Sequence, residues 1–524
     1  MPPNTELHTT TASQERVVLT QQQVEERTKQ GEALFIFESQ VYKVDRFIHK
    51  HPGGELAIRH VLGKDVTDEI RSMHPPRVYE RMMRHYCIGE YLPDVVIPPT
   101  ESTSDTPVRN DDDGGEENQT TAIDTTWQGG ISVEAFDKTI SALHTQHYTN
   151  QQHDIPAHQG ADVIKMRVAY RQLQQELLDR GLFECNYYRY GKECCRYALF
   201  FYLALWFTLR GTETWQHLLG AVFMACLWHQ LAFTVHDAGH NEITGRVEID
   251  HLIGVFIADF IGGLSVGWWK NNHNVHHIVT NHPEHDPDIQ HLPFFAVTTR
   301  FFDNIYSTYY KRVFEFDAPA RFFVRYQHYL YYIILLFGRF NLQRLSLAYL
   351  FFHKQVRNRR LELFGIGCWL IWYSALLAQL PSWGVVIAYV FISYMLTFPL
   401  HVQITLSHFG MSTTDFGPGE PFPAKQLRTT MDVDCPEWFD WFHGGLQYQV
   451  VHHLFPRLPR HNLRQCVPVV RRFCQETGLR YYMYDFTTGN GVILGALKAV
   501  ADQVHLFNDV AKYNAGVWAH EKQH

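Results

Sequence analysis

The sequence has no long run of basic residues, and its formal net charge of −8 comes from 54 acidic against 46 basic side chains. Proteins that bind nucleic acids concentrate Lys and Arg on one face, so we expect no nucleic-acid partner. Nine cysteines occur without a CxxC pair, which argues against a zinc finger and against a disulfide framework. The N-terminal segment also lacks an apolar stretch behind a basic start, so it does not resemble a signal peptide.

Charge is scarce overall, because charged residues make up only 19% of the chain, whereas hydrophobic residues make up 45% and aromatic residues 14%. This composition is typical of a chain that joins polar soluble segments to apolar membrane-embedded ones. The chain also contains 32 histidines, a share well above average usage. Imidazole is therefore expected to have a function here.

Composition divides the chain into five parts. Short apolar runs alternate with helical patterns in the N-terminal part, as expected for a small α+β domain. The stretch that follows is rich in Pro, Ser, Thr, Gly and acidic residues and too poor in apolar groups to fold alone. The predicted order is a flexible N-terminus (1–16), a small α+β domain (17–94), an acidic flexible linker (95–126), an all-α membrane domain (127–485) and a C-terminal tail helix (486–524).

Four segments of the membrane domain are apolar enough to cross a bilayer, namely residues 194–210, 216–235, 361–380 and 383–404. Short turns join them into two hairpins, and basic residues flank the other ends, so both termini are expected in the cytosol. Two further apolar stretches, 249–269 and 321–340, contain charged residues. They are predicted to be buried, re-entrant or interfacial helices.

Two histidines of the first domain, His51 and His74, are 23 residues apart, and His51 opens the turn HPGG. Imidazole ligands on both sides of a haem iron leave no open position, so such an iron moves single electrons and does not bind oxygen. The alternative is that both are surface histidines beside a proline turn.

Three groups of histidines lie near the predicted spans, and their i, i+3 and i+4 spacing places each group on one helix face. The groups are His236 and His240; His273, His276 and His277; and Gln449, His452 and His453. Eight such side chains exceed the needs of one ion, so two metal ions are implied, and nitrogen ligands beside a haem electron donor favour iron. Groups that share a metal pair must lie on one membrane face, so residues 249–269 cannot cross once. Surface or capping histidines are the alternative for any single group.

The stretch FESQVYKVDRFIHKHPGGELAIRHVLGKDVTDEI resembles the cytochrome b5 family, which implies His51 and His74 as the axial ligands of haem b. The motifs HDAGH, WWKNNHNVHH and FHGGLQYQVVHHLFPRLPRHN resemble the three histidine boxes of the membrane fatty-acyl and sphingolipid desaturases. A glutamine that opens the third box is typical of the front-end subgroup, which carries a fused N-terminal cytochrome b5. The stretch VGWWKNNHNVHHIVTNHPEHDPDIQHLPFFA is most similar to fungal sphingolipid 8-desaturases.

This resemblance implies a multi-pass di-iron desaturase of the endoplasmic reticulum membrane that uses O2 and has a cytosolic histidine-rich cap. Electrons would come from NADH through NADH-cytochrome b5 reductase and the fused haem domain. The implied metal ligands are the seven box histidines and one outlying histidine, for which His408 is the first candidate and His401 the second. Val451 stands where the family commonly has an acidic residue, so a supporting role of that acid is lost or moved.

The substrate and the reaction leave alternatives. A front-end acyl-lipid desaturase of the delta-5, -6 or -8 type shares the iron chemistry, a histidine-box lipid hydroxylase would insert oxygen, and a haem-only electron carrier would have vestigial clusters. The stretches GLSVGWWKNN and NHPEHDPDIQ, which contain Trp268, Trp269, Asp286 and Asp288, resemble the sphingolipid branch more closely than the acyl-lipid one. This resemblance implies a ceramide substrate, desaturated at position 8 of its sphingoid base. The alternative is that these residues only pack the cytosolic cap.

Overall fold

The computed structural model describes residues 17–93, 161–417 and 419–521. The predicted flexible N-terminus (1–16) and acidic linker (95–126) lie outside the described residues, as do the first residues of the predicted membrane domain (127–160). Within the described ranges, a small α+β domain is followed by a helical domain with several long apolar helices, which confirms the predicted fold class.

The N-terminal domain is built on a four-stranded sheet in which the first strand pairs in parallel with the last. Its strands are Val17–Thr20, Leu34–Phe37, Gln40–Lys43 and Cys87–Leu92. Its helices are Gln21–Lys29, Ile48–Lys50, Glu55–Arg59, Thr67–Met73, Val78–Met82 and Met83–Tyr86. Thr20 begins the first helix with a capping box, in which its hydroxyl accepts from the Gln23 N–H and the Gln23 side chain accepts in return.

Two antiparallel helix hairpins form the membrane part. The first consists of Tyr187–Arg210 and Thr214–His240, and the second of Arg359–Leu377 and Trp383–Met395, which is extended by Phe398–Leu406. Three helices of the described residues are long and apolar enough to cross a bilayer, namely Thr214–His240, Arg359–Leu377 and Trp383–Leu406. Tyr187–Arg210 holds the predicted span 194–210, but each 18-residue stretch of it contains at least three charged residues. Its apolar part is therefore short for a span.

The apolar stretch 249–269 is broken rather than continuous. The chain bends by 119° between the helices Val247–Ile261 and Val266–Val279. These two helices together are either one broken membrane span, which would be the fourth, or a re-entrant loop. Such a bend agrees with the expectation that this stretch does not cross once. The stretch 321–340 is likewise divided, among the helices Ala318–Arg325, Gln327–Leu336 and Gly338–Phe352.

The remaining elements form a cap over one end of the hairpins. Its helices are Ala161–Asp179, Thr299–Asp303, Phe422–Thr429, Glu437–Phe439, Asp440–His443, Leu446–Tyr448, Gln449–Leu454, Arg460–Asn462, Leu463–Thr477 and Phe486–Glu521. Two short strand pairs complete it, Tyr306–Ser307 with Arg312–Val313 and Asp432–Asp434 with Met483–Asp485. The predicted tail helix packs into this cap, because Ile493, Leu497 and Val504 belong to one of its buried apolar clusters.

Candidate haem and metal sites

The rings of His51 and His74 face each other in the N-terminal domain, with their centres 6.0 Å apart. Two imidazole nitrogens that each lie about 2 Å from a shared metal place their ring centres about 6 Å apart. The Nδ1 atom of His51 is 2.9 Å from the Gly54 carbonyl oxygen, and that of His74 is 3.1 Å from the Ile70 carbonyl oxygen. Each Nδ1–H therefore donates to the backbone, which leaves both Nε2 atoms free to bind a haem iron.

The surroundings of these two rings suit an apolar macrocycle. Burial and the neighbouring His51 lower the pKa of His74 to about 4, and burial also lowers the pKa of His51. Both rings are therefore neutral at pH 7, as metal ligation requires. The apolar cluster around them is formed by Phe35, Phe37, Tyr42, Val44, Ile48, Val66 and partly buried neighbours that include Phe47, Ile58, Leu62 and Ile70.

The local sequence places each histidine box at the end of a helix. Thr214–His240 ends at the first box, where Asn241 adopts the left-handed conformation with φ of 58°. Val266–Val279 carries the second box and begins at Ser265, whose hydroxyl accepts from the Trp268 N–H. Gln449–Leu454 carries the third box, and its Val450 N–H donates to the buried Asp432 carboxylate over 2.7 Å.

The three boxes meet in two groups of ring nitrogens. The first group is His236, His240, His273 and His452, whose ligand atoms all lie within 4.8 Å of one another. The second group is His276, His408 and His453, within the same limit. His277 lies between them, with its Nε2 3.1 Å from the Nε2 atoms of His273 and His452 and its ring stacked on His453 at 4.3 Å. The outlying His408 thus joins the box histidines, whereas His401 lies in neither group.

These donors fit the two iron ions that the histidine boxes imply. The Nε2 atoms of His236, His240 and His453 are buried and have no hydrogen-bond partner, which is costly unless a metal binds them. The two groups that join the boxes consist of imidazoles, which suit iron. The carboxylates of Asp237 and Glu242 lie beside His236 of the first group, and those of Asp286 and Asp288 lie beside His276 of the second. The eight histidines would hold the ions, and the arrangement could support redox chemistry beside the haem domain.

Hydrogen bonds orient the second nitrogen group. The Asp286 carboxylate accepts from His276 Nδ1 over 2.9 Å, Gln426 Oε1 lies 3.0 Å from His453 Nδ1, and the Thr429 carbonyl oxygen lies 3.3 Å from His408 Nδ1. Carboxylate and carbonyl partners of this kind fix the ring orientation of metal-bound histidines. The fully buried Asp286 therefore supports a ligand histidine. Gln426 carries no sequence motif, so sequence analysis missed it.

Gln449 takes a different place from the box histidines. It lies in neither nitrogen group, and instead lines a small cavity beside the first group together with His236, Glu242, His452 and Arg460. Val451, at the position of the missing family acid, is fully buried in an apolar cluster with Tyr170 and Phe455. The second residue that sequence analysis missed is Glu242, which lies two positions after the first box.

The N-terminal domain packs directly on the second and third boxes. Asn274, between the ligand candidates of box two, donates to the Gly53 carbonyl oxygen over 3.1 Å, and Ser72 donates to the Leu454 carbonyl oxygen over 2.7 Å. Gly53 is two residues after His51, and its partner Asn274 is next to His273. Ser72 is two residues before His74, and its partner Leu454 is next to His453. Both haem-ligand candidates thus lie close in sequence to a hydrogen bond with the metal site. Further contacts join Gln174 to the Arg71 carbonyl oxygen, Arg77 to the Gly245 carbonyl oxygen and Arg167 to Asp65.

Comparison with known proteins agrees with this geometry. Residues 213–485 match the family described as fatty acid desaturase, and residues 20–92 match the cytochrome b5-like heme/steroid binding domain. A delta 8-(E)-sphingolipid desaturase of Emericella nidulans is 43% identical over 94% of this chain and 96% of its own length. One of Komagataella phaffii is 40% identical, over 94% and 95%. A delta(8)-fatty-acid desaturase of Helianthus annuus is 32% identical, over 90% and 89%. The chain therefore belongs to the fatty acid desaturase family and carries its own cytochrome b5-like domain.

Proposed function

We propose that this enzyme desaturates the long-chain base of a sphingolipid, most specifically a ceramide, at position 8 and with E geometry. The observation that carries this proposal is the identity of 40% to 43%, over 94% of the chain, to two fungal delta 8-(E)-sphingolipid desaturases. The plant fatty-acid desaturase is more distant, at 32% identity. The higher identity to the sphingolipid desaturases thus favours the sphingolipid substrate over an acyl-lipid one.

The side chains of the site support oxygen-dependent desaturation. The eight histidines would hold iron, which would supply the oxidising power for removing hydrogen from unactivated methylenes, a step that protein acids and bases cannot perform. Asp286, Gln426 and Thr429 hold three of those histidines in fixed orientation. Reducing O2 to two waters takes four electrons, of which the substrate gives two, so the cytochrome b5-like domain must deliver the other two.

We propose NADH-cytochrome b5 reductase as the partner that reduces the haem of the N-terminal domain. We also propose that the enzyme lies in the endoplasmic reticulum membrane, with both termini in the cytosol. Two helices that are long and apolar enough to cross a bilayer, Arg359–Leu377 and Trp383–Leu406, lie between box two and box three, which supports one membrane face for all three boxes. A protease or tag-accessibility experiment that finds residue 291 on the lumenal side would refute this orientation.

Weakening the domain contact is expected to slow electron delivery without changing the cofactors. We predict that Ser72→Ala combined with Asn274→Ala slows the reoxidation of the reduced haem by several fold when O2 and substrate are added. Each lost hydrogen bond costs about 1 kcal/mol, which is about fivefold in the docking equilibrium constant and about 25-fold for both, so the docked fraction falls by several fold. Stopped-flow absorbance of the haem band measures this rate.

The matched control for that pair is Arg59→Ala, which removes an exposed ion pair with Glu55 within the N-terminal domain. Its reoxidation rate should equal that of the unmodified enzyme. Haem absorbance and iron content are measured in all variants, so that only docking differs. A double variant that reoxidises at the full rate would show that these contacts do not support electron delivery.

The substrate is tested by expression in a yeast that lacks 8-unsaturated sphingoid bases. We expect lipid mass spectrometry to find the 8-(E)-unsaturated base within ceramides. When polyunsaturated fatty-acid precursors are fed, no new fatty-acid product is expected. A His453→Ala chain serves as the inactive control. A new fatty-acid double bond with unchanged sphingoid bases would instead favour the front-end acyl-lipid alternative, and an added hydroxyl group would favour the hydroxylase.

A further inference from the structure

Glu242 is directed toward the metal site by the way the first-box helix ends. Asn241 adopts the left-handed conformation after His240, and the Glu242 N–H then donates to the Asp237 carbonyl oxygen over 3.0 Å. This turn brings the Glu242 side chain back over the last turn of the helix. Only 5% of Glu242 is exposed, so its carboxylate lies inside the protein.

The carboxylate of Glu242 lacks a hydrogen-bond partner at both oxygens. A buried carboxylate without partners is unfavourable, so it indicates a missing interaction at this point. Glu242 lines a small cavity, and the side chains of His236, Gln449 and His452 line the same cavity. The nearest ring nitrogen is Nδ1 of His452, which lies 4.0 Å from Oε1 of Glu242.

The orientation of His452 explains which of its nitrogens needs a partner. Its Nε2 points into the metal site, 3.1 Å from Nε2 of His277. Its Nδ1 therefore faces away from the metal position and toward Glu242. The same relation holds in the second nitrogen group, where Asp286 accepts from Nδ1 of His276 over 2.9 Å.

The other acidic positions near the first group do not face His452. Asp237 accepts at Oδ2 from Arg460 over 2.5 Å and from the Tyr190 hydroxyl, and its Oδ1 lies 3.9 Å from Nδ1 of His236. Position 451 is a valine whose side chain lies in an apolar cluster. Within residues 17–93, 161–417 and 419–521, Glu242 is the one carboxylate within 4.0 Å of a His452 ring nitrogen.

We propose that Glu242 is a positioning residue for the first metal group, which accepts the Nδ1–H of His452 and so holds its Nε2 toward the iron. A shift of about 1 Å brings the pair from 4.0 Å to hydrogen-bond distance. Glu242 thus supplies a carboxylate near His452, where Val451 offers none. This inference rests on the proposed di-iron chemistry and not on the identity of the lipid.

The test measures iron retention in the purified full-length enzyme, without substrate. Glu242→Ala is expected to release iron to a chelator about 10- to 100-fold more readily than the unmodified enzyme, with unchanged haem absorbance. Glu242→Gln keeps an acceptor oxygen but loses the charge, so its iron retention should be intermediate. Glu248→Ala is the matched control, because Glu248 is 78% exposed at its side chain and should retain iron fully.

Iron retention separates this inference from the substrate proposal, since a different lipid product would leave the chelator result unchanged. If Glu242→Ala does not fold, the rate at which Glu242→Gln releases iron to the chelator tests the positioning role alone. Unmodified iron retention in whichever of the two variants folds would overturn the positioning role. Loss of both irons and of haem at once in both variants would also overturn it, because that result indicates a general structural role.

Discussion

Replacing His453 with alanine is expected to abolish desaturation, by at least about 100-fold, because it removes a ligand of the second nitrogen group. The same loss is expected for His240→Ala in the first group and for His276→Ala in the second. Each variant should remain in the membrane with its haem intact, since the N-terminal domain is unchanged. Product analysis and metal analysis of the purified chain measure the activity and the bound iron.

The control for these variants is His353→Ala, because His353 is exposed and belongs to neither nitrogen group. It should keep its activity and its two irons. A His453, His240 or His276 variant with full turnover and full iron content would remove that residue from the ligand set.

Loss of either axial ligand in the N-terminal domain should have a second large effect. We expect His51→Ala and His74→Ala to lose the haem absorbance, because the two rings supply the only protein bonds to a haem iron in a six-coordinate site. Turnover should fall to background, while the iron of the membrane domain is retained. Absorbance spectra, metal analysis and product analysis on the same preparation separate these effects.

The matched control is His49→Ala, two residues before the first ligand candidate. His49 is exposed, and its Nδ1 lies 2.6 Å from the Glu55 carboxylate. Its variant should keep both haem and activity. An unchanged haem spectrum in either His51→Ala or His74→Ala would contradict the axial assignment.

Much of the site follows from local spacing. Histidines at i, i+3 and i+4 share a helix face in any α-helix, so the box motifs predict convergent rings before any tertiary structure is known. The family resemblance adds the outlying His408, which lies far from the third box in sequence. Its ring nitrogen nevertheless falls within 4.8 Å of those of His276 and His453.

Other parts of the site depend on tertiary packing and carry little local signal. Gln426 reaches His453 from a separate helix, and Glu242 depends on one left-handed residue at a helix end. The predicted span 194–210 lies within one helix, Tyr187–Arg210, whose N-terminal half carries charges that the apolar pattern alone does not include. The contact between the two domains could not be predicted from the sequence. Polar side chains form it on both domains, and their sequence pattern is the same as that of a solvent-exposed surface.

The contact between the N-terminal domain and the membrane domain has an unusual chemical asymmetry. Ser72, Arg77, Gln174 and Asn274 each donate from a side chain to a backbone carbonyl oxygen on the other domain. A backbone oxygen is present whatever residue occupies the position, so these four bonds need no particular side chain on the acceptor side. The ion pair between Arg167 and Asp65 differs, because it needs both side chains. During evolution, paired substitutions between the two domains are therefore expected at Arg167 and Asp65 but not at the four donor positions.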